Sequence, residues 1–134
     1  MQRRSFIALA GALAMPAIAA DPPAAASEWT FLKAEPGAVD ALARFIEANW
    51  FAMDAIAVER GLMSRYALFE SRDDGADWDL VVVVDYPQAE GYAGIRAAFE
   101  QIRADHQTVP IDGRRLPELG RIVGSRRLRR RSGG

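Results

Sequence analysis

The sequence predicts an α+β domain with the element order βαββαβ, in which two helices cover one face of a four-stranded antiparallel sheet. Two stretches repeat apolar residues every three or four positions, a spacing typical of amphipathic helices. Four apolar runs lie before, between and after them, and turn residues such as Pro36-Gly37 and Asp73-Asp74-Gly75 separate them. These two observations together fix the element order.

The predicted strands are residues 29–32, 64–70, 78–86 and 120–128. The third is the clearest because it holds four consecutive valines between Gly75 and Pro87. Each helix is predicted by one apolar stripe: Val39, Leu42, Ile46, Trp50, Met53, Ile56 and Ala57 in the first, and Tyr92, Ile95, Phe99, Ile102 and His106 in the second. The first helix is expected to end near Gly61. Elements in this order form the split, ferredoxin-like arrangement.

The third strand is apolar on both faces, which predicts a homodimer. One face of the strand carries Trp78, Leu80, Val82, Val84 and Tyr86. The other face carries Asp79, Val81, Val83 and Asp85. Both helices are used on the first face, so only a second sheet can cover the valines of the other, each contributing about 1.5 to 3 kcal/mol when buried. Two copies packed sheet to sheet are expected. The two aspartates are expected to pair with Arg65, Arg121 or an arginine of the second copy.

This pattern resembles the dimeric α/β-barrel superfamily over residues 28–128. The resemblance rests on the element order and on the stretches Asn49-Trp50-Phe51-Ala52-Met53-Asp54, Trp78-Asp79-Leu80-Val81-Val82-Val83-Val84 and Phe99-Glu100-Gln101-Ile102-Arg103. It implies a homodimer of ferredoxin-like subunits. The superfamily includes cofactor-free monooxygenases, haem-degrading enzymes, haem peroxidases, isomerases and proteins with no known activity, so the resemblance does not select a function.

Residues 1–20 are predicted to be a signal peptide. Arg3 and Arg4 precede a short apolar stretch with small residues at its end, and cleavage is expected near Ala19 or Ala20. The core Arg-Arg-x-Phe-Ile resembles a twin-arginine export signal, with the general secretory route as the alternative. A periplasmic or secreted location follows. The stretch is too short to span a bilayer, so no stable membrane insertion is expected after cleavage.

Composition limits the chemistry of the remaining chain, which comprises a linker at 21–27, the barrel domain at 28–128 and a basic, disordered tail at 129–134. The chain has no cysteine and one histidine, which argues against disulfides, thiolate chemistry and a zinc site. A net charge of −1 and the expected location argue against a nucleic-acid partner. Arg96, Glu100 and Arg103 are expected on the solvated face of the second helix.

The sequence offers three candidate catalytic residues, His106, Asp54 and Asn49. His106 closes the apolar stripe of the second helix, where it is either a base or haem ligand facing a pocket, or a C-terminal histidine packed on Ile102. Asp54 lies one helical turn from Trp50, beside Asn49, and either lines a cavity with Asn49 as a polar pair or is solvated or salt-bridged. Haem-degrading members of the superfamily use an Asn, a Trp and a His, but in other elements, so those roles are not transferred to Asn49 or His106.

We expect a modest apolar cavity between the sheet and the helices, and its candidate wall residues are Trp50, Trp78, Tyr86, Tyr92 and His106. Three functions remain as alternatives: binding of a small apolar or aromatic molecule, a cofactor-independent monooxygenase with His106 or Asp54 as base, and haem binding with His106 as axial ligand. A fourth interpretation is that dimerisation is the protein's only contact. No cofactor is expected unless the haem alternative holds.

Overall fold

The computed structural model describes residues 23–133. The predicted signal peptide, residues 1–20, lies outside the described residues. The elements are β1 (Ala26–Ala34), α1 (Val39–Phe45), a π-helical turn (Ile46–Trp50), α2 (Phe51–Glu59), β2 (Arg65–Glu70), β3 (Leu80–Tyr86), α3 (Tyr92–Asp105), α4 (Leu116–Leu119) and β4 (Gly120–Arg129).

The four strands form one antiparallel sheet in the order β2-β3-β1-β4. The predicted α+β class and the four-stranded antiparallel sheet are therefore confirmed. β1 begins at Ala26, inside the segment predicted as linker, and β4 ends at Arg129, the first residue of the predicted tail. Backbone bonds explain both extensions: the Ala25 N–H donates to Tyr86 O at 2.8 Å, and the Arg130 N–H donates to Ala25 O at 2.9 Å.

The prediction of two helices is wrong in number. The first predicted helix is a continuous helical stretch in three parts, because a π-helical turn separates α1 from α2. α4 is a further helix of four residues, too short to show a periodic stripe. Its first turn is closed by Glu118, whose carboxylate accepts the Arg115 N–H at 2.9 Å.

The helices and one face of the sheet enclose the hydrophobic core. Its most deeply buried side chains are Leu32, Leu42, Ile46, Leu80 and Leu119. Alternation along β3 sends Leu80, Val82, Val84 and Tyr86 into this core, as the sequence predicted. We call this side of the sheet the covered face.

The opposite side of the sheet, here called the open face, is built from Trp29, Phe31, Ala67, Phe69, Val81 and Val83. Their register places Val81 between Phe31 and Phe69, and Val83 between Trp29 and Ala67. None of them belongs to the core beneath the helices. Phe69 is 57% exposed, whereas Val81 is buried. The open face is therefore an apolar surface that no helix of residues 23–133 covers.

Candidate functional site

A cavity of about 450 Å³ lies between the covered face and the helices. Every strand except β2 and every helix except α1 contributes to its wall. The lining residues are Glu28, Thr30, Trp50, Met53, Asp54, Met63, Val82, Val84, Tyr86, Tyr92, Phe99, Arg103, Leu116 and Ile122. Its size falls within the range of small-molecule sites, and its wall is mostly aliphatic and aromatic with few polar groups.

Asp54 is the most unusual residue of the wall. It lies in α2, one helical turn after Trp50, and this spacing turns both side chains toward the cavity. The residue is only 6% exposed. No hydrogen bond or ion pair within residues 23–133 involves its carboxyl group. Burying a carboxylate without a hydrogen-bond partner costs free energy. Protonation of the group, or a bound ligand that donates a hydrogen bond to it, lowers this cost.

Burial raises the pKa of Asp54 from its usual value to about 7, although the positive charge of Arg103 opposes the rise. Near neutral pH the carboxyl group is therefore divided between its acid and its anion. Such a group can donate a proton, accept one, or pair with a positive charge without a large change in pH.

Four aromatic rings share the cavity with Asp54: Trp50, Tyr86, Tyr92 and Phe99. Tyr92 and Phe99 stand one above the other on α3, with their ring centroids 5.7 Å apart in an edge-to-face arrangement. Tyr86 ends β3 with its side chain buried against the core. Burial, and then the negative charges of Glu28 and Asp54, raise the pKa of its hydroxyl above the ordinary range, so the phenol stays neutral.

Glu28 fixes the start of α3 against the sheet. Its Oε2 accepts the backbone N–H of Tyr92 at 3.0 Å, at the positively polarised end of the helix. The approach depends on Gly91, which has φ 62° and lies so close to Glu28 Oε2 that a side chain there would collide with it. The carboxylate of Glu28 is thus committed to the helix, in contrast to that of Asp54.

Arg103 lies at the rim of the cavity. Its Nε is 3.2 Å from Glu100 Oε1, and the Tyr92 hydroxyl donates to the other oxygen of Glu100 at 3.3 Å. Hydrogen bonding to Tyr92 raises the pKa of Arg103. Its guanidinium lies 5.6 Å from the ring centre of Phe99. The sequence assigned Arg103 to a solvated ladder; the structure places it there with Glu100, and also against the cavity.

Asn49 and His106 lie together, but outside the cavity wall. His106 Nε2 is 2.9 Å from Asn49 Oδ1, which also accepts the Val109 N–H at 2.6 Å. The Asn49 amide donates to Phe45 O at 3.0 Å and to Val109 O at 2.9 Å. Asn49 therefore serves the carbonyl at the start of the π-helical turn and holds the segment after α3 to the first helical stretch.

The expectation that His106 lines the cavity is corrected by the end of α3. The helix stops at Asp105, and His106 has extended backbone angles, φ −86° and ψ 130°. Its side chain consequently leaves the apolar stripe that Tyr92, Phe99 and Ile102 define. The three candidate catalytic residues thus divide into a pair, Asn49 and His106, and a separate residue, Asp54.

Trp78 is also outside the wall, in contrast to the expectation. It precedes β3 and packs edge to face on Phe31, with the ring centroids 5.1 Å apart. Strand alternation therefore does not apply to it, and it extends the open face. Of the predicted wall residues, Trp50, Tyr86 and Tyr92 line the cavity.

The two strand aspartates have the pairing that the sequence suggested, with one change of partner. Asp85 forms an ion pair with Arg65 at 2.7 Å. Asp79 pairs with Lys33 at 3.4 Å and accepts the Ala34 N–H at 2.8 Å, instead of meeting Arg121. The ionised groups at both ends of the open face are thus satisfied within one subunit.

Sequence reasoning missed ten wall residues: Glu28, Thr30, Met53, Met63, Val82, Val84, Phe99, Arg103, Leu116 and Ile122. Glu28 and Thr30 had a usable signal, because they alternate with Trp29 and Phe31 and so point to the side of the sheet where Leu32 is buried. Polar residues at inward positions of a strand often mark a cavity. Met63 lies in the connection between α2 and β2, where no periodic pattern applies.

Two further properties concern the part of the chain that the structure describes. No three His, Asp or Glu side chains of residues 23–133 come together in a metal-binding group. No helix in that range is both long and apolar enough to cross a membrane.

No protein family, no curated protein and no solved structure matches the chain. The function is therefore argued from the cavity itself.

Proposed function

We propose that this domain binds a small, mostly apolar organic molecule in the cavity between its sheet and its helices. The observation that carries the proposal is the carboxyl group of Asp54, which is buried without a hydrogen bond in a cavity of about 450 Å³. A folded domain rarely keeps such a group, because a buried polar atom without a partner costs about 1 to 3 kcal/mol. A bound molecule that meets this carboxyl supplies the missing partner.

The test uses a substitution that fills part of the cavity and leaves Asp54 unchanged. Thr30 is half-buried on β1 and lines the wall, so Thr30→Phe should reduce the cavity volume while the strand tolerates the larger side chain. Native mass spectrometry of protein from its own host, followed by titration calorimetry with small phenyl compounds, measures binding. We expect a bound molecule in the wild type and at least about a tenfold loss of affinity in the variant.

Ile56→Phe is the matched control, because Ile56 is exposed on α2 and does not line the cavity. Thermal unfolding of all three proteins checks that they are folded. Equal binding by Thr30→Phe and wild type, or no ligand in either experiment, would refute the proposal.

One observation favours a second function, proton abstraction from the bound molecule. Asp54 has a pKa of about 7, which suits a general base, and it lies in a cavity that shields it from water. In a cofactor-independent monooxygenase the carboxylate would take a proton from the substrate, and the resulting substrate anion would react with molecular oxygen. Oxygen consumption with a panel of hydroquinones tests this: activity should be lost in Asp54→Asn and kept in His106→Ala, since His106 is outside the cavity.

Haem binding through His106 has no support in the geometry. Its Nε2 is held by Asn49, and its ring does not line the cavity. We expect no Soret band when purified protein is mixed with haemin. A band that His106→Ala abolishes would reverse this conclusion.

We also propose that two copies pack through their open faces. The face carries large apolar side chains, and the charges at its two ends are already paired in Lys33–Asp79 and Arg65–Asp85. Arg126, opposite Trp29 on the same face, has no carboxylate partner within residues 23–133. A second copy would bury apolar area without leaving the charges of the two ion pairs uncompensated. The strand order β2-β3-β1-β4 and the element order support a ferredoxin-like subunit of the dimeric α/β-barrel superfamily.

Analytical ultracentrifugation tests the dimer. Phe69 is 57% exposed on the open face, so Phe69→Glu should give a monomer, while Ile56→Glu on the other side of the molecule should leave a dimer. A wild-type monomer at high concentration would refute the assembly. The export signal proposed for residues 1–20 is tested separately, by N-terminal sequencing of protein recovered from the periplasm or medium.

A further inference from the structure

The charges around the cavity narrow the chemistry of its ligand. Two carboxylates, Glu28 and Asp54, line the wall, together with one basic residue, Arg103. The positive charge of Arg103 is already shared with Glu100, at 3.2 Å. Burial is the main cause of the raised pKa of Tyr86, and the negative charges of both wall carboxylates raise it further, so both act on this part of the cavity. An anionic ligand would meet repulsion here, whereas a cation would be attracted.

The aromatic wall points to the same class of ligand. Trp50, Tyr86, Tyr92 and Phe99 line one cavity, and the faces of such rings carry negative charge density that attracts ammonium groups. Two arginines already make this contact, Arg96 at 5.2 Å from the Tyr92 ring centre and Arg103, at the rim of the cavity, at 5.6 Å from that of Phe99. A cation inside the cavity would meet rings on several sides and a carboxyl group as well.

We propose that the cavity binds a small amine, with its ammonium N–H donating to the carboxylate of Asp54 and its apolar body lying among the four aromatic rings. The inference rests on the proposed binding function and adds the charge of the ligand. An ammonium group supplies the hydrogen-bond donor that Asp54 lacks, and it adds a positive charge to the one that Arg103 already exerts on the carboxyl group. A neutral hydroxyl supplies only the first, and a carboxylate supplies neither.

Proton linkage follows from the same contact. The ammonium favours the ionised form of Asp54, whose pKa in the free protein is about 7. Affinity for the amine should therefore be constant above about pH 7 and fall by about tenfold per pH unit below it. The charged and titratable groups that act on Asp54 or lie with it around the cavity are Glu28 on β1, Tyr86 on β3, and Tyr92 and Arg103 on α3.

The experiment compares three ligands with one phenyl body and different charges: 2-phenylethylammonium, 2-phenylethanol and 3-phenylpropanoate. Titration calorimetry between about pH 5 and pH 8 measures their affinities. Above pH 7 we expect the ammonium to bind about 10- to 100-fold more tightly than the alcohol, as for a hydrogen bond to a charged group. The carboxylate should bind most weakly of the three.

Asp54→Asn should abolish both the preference for the ammonium and the pH dependence. Asp105→Asn is the matched control, because Asp105 is exposed at the end of α3 and does not line the cavity. If the Asp54→Asn variant does not fold, the pH profile of the wild type still decides, since the ammonium but not the alcohol must lose affinity below pH 7.

The outcomes separate this inference from the proposed function. If 2-phenylethanol binds as tightly as the ammonium, or if the preference survives in Asp54→Asn, the amine inference is wrong and the binding function stands. If none of the three ligands binds and no molecule co-purifies, both proposals fail.

Discussion

Both faces of the sheet are apolar, but the carboxylates near them differ in whether they have a partner. On the open face Asp85 and Asp79 each have a cationic partner, at 2.7 Å and 3.4 Å. Between the covered face and the helices, Asp54 of α2 is more deeply buried than either and has no hydrogen bond within residues 23–133. The two aspartates of the open face therefore have ionic partners, and in the cavity Glu28 has a hydrogen-bond donor whereas Asp54 has none.

This difference distinguishes the proposed dimer contact from the proposed ligand site. A face whose carboxylates are paired within their own chain can be buried by another copy at a lower electrostatic cost than one with unpaired carboxylates. A cavity with an unsatisfied carboxyl group gains most from a small molecule that reaches that group. The proposed dimer therefore uses the open face, and the proposed ligand site lies beneath the covered face.

The largest expected contrast is between two phenylalanines on opposite faces. Phe99 is 5% exposed and packs in the core, so Phe99→Ala should lower the free energy of unfolding by about 3 to 5 kcal/mol. Phe69 is 57% exposed, so Phe69→Ala should change it by less than about 1 kcal/mol in the monomer. Urea unfolding at low protein concentration measures both. Equal effects would mean that the open face is already covered in the monomer.

The next effect is the pH dependence that Asp54 contributes to ligand-free protein. Its pKa in the folded state, about 7, exceeds its ordinary value, so the folded state holds a proton that the unfolded state releases. The contribution is present below about pH 4 and is lost as the pH rises to about 7, by at most about 4 kcal/mol. Chemical unfolding across this range should show it.

The Asp54→Asn variant provides the check on this assignment. It should flatten the slope between pH 4 and pH 7, and Asp105→Asn should leave the slope unchanged. A slope that persists in Asp54→Asn would assign the proton to another group.

A smaller effect is expected from the hydrogen bonds that join Asn49 to the segment after α3. Asn49→Ala leaves the Val109 N–H and the Phe45 carbonyl without their side-chain partner, and should cost about 2 to 3 kcal/mol. His106→Ala removes one bond and should cost about 1 kcal/mol. Thermal unfolding measures both. A larger loss of stability for His106→Ala than for Asn49→Ala would contradict this assignment of the hydrogen bonds.

The smallest effect belongs to the ion pairs at the ends of the open face. A double-mutant cycle on Arg65 and Asp85 should give a coupling energy of about 0.5 to 1 kcal/mol that decreases with added salt, because Arg65 is half exposed. Urea unfolding of the wild type, both single variants and the double variant provides it. A coupling well above this range would show that the pair is shielded from solvent, as burial by a second copy would cause.

The strands show which features of the fold the local sequence pattern predicts and which it does not. β3 was predictable because β-branched residues and flanking turn residues agree on one conformation, and the structure begins the strand only two residues later than predicted. Trp78 shows the limit. Its alternation with Leu80 suggested the covered face, but it lies before the strand begins, so its direction follows from the contact with Phe31.

The helices show the same limit for the site. Trp50 and Asp54 share a helix face by their spacing alone, which allowed both to be named from the sequence. The neighbouring Asn49 instead belongs to a separate network, because the π-helical turn and the Val109 backbone engage its amide. That network forms only when residues 60 positions apart in the chain meet.

Local patterns were enough to predict the strands, the main helices and the two apolar faces of the sheet, because these follow from periodicities of two and of 3.6 residues within short windows. Which polar groups are satisfied depends instead on the folded arrangement. There Asn49 meets His106, Glu28 meets the start of α3, and Asp54 has no hydrogen-bond partner within residues 23–133. Burial and hydrogen bonding depend on residues brought together from distant parts of the chain, and no local pattern encodes them.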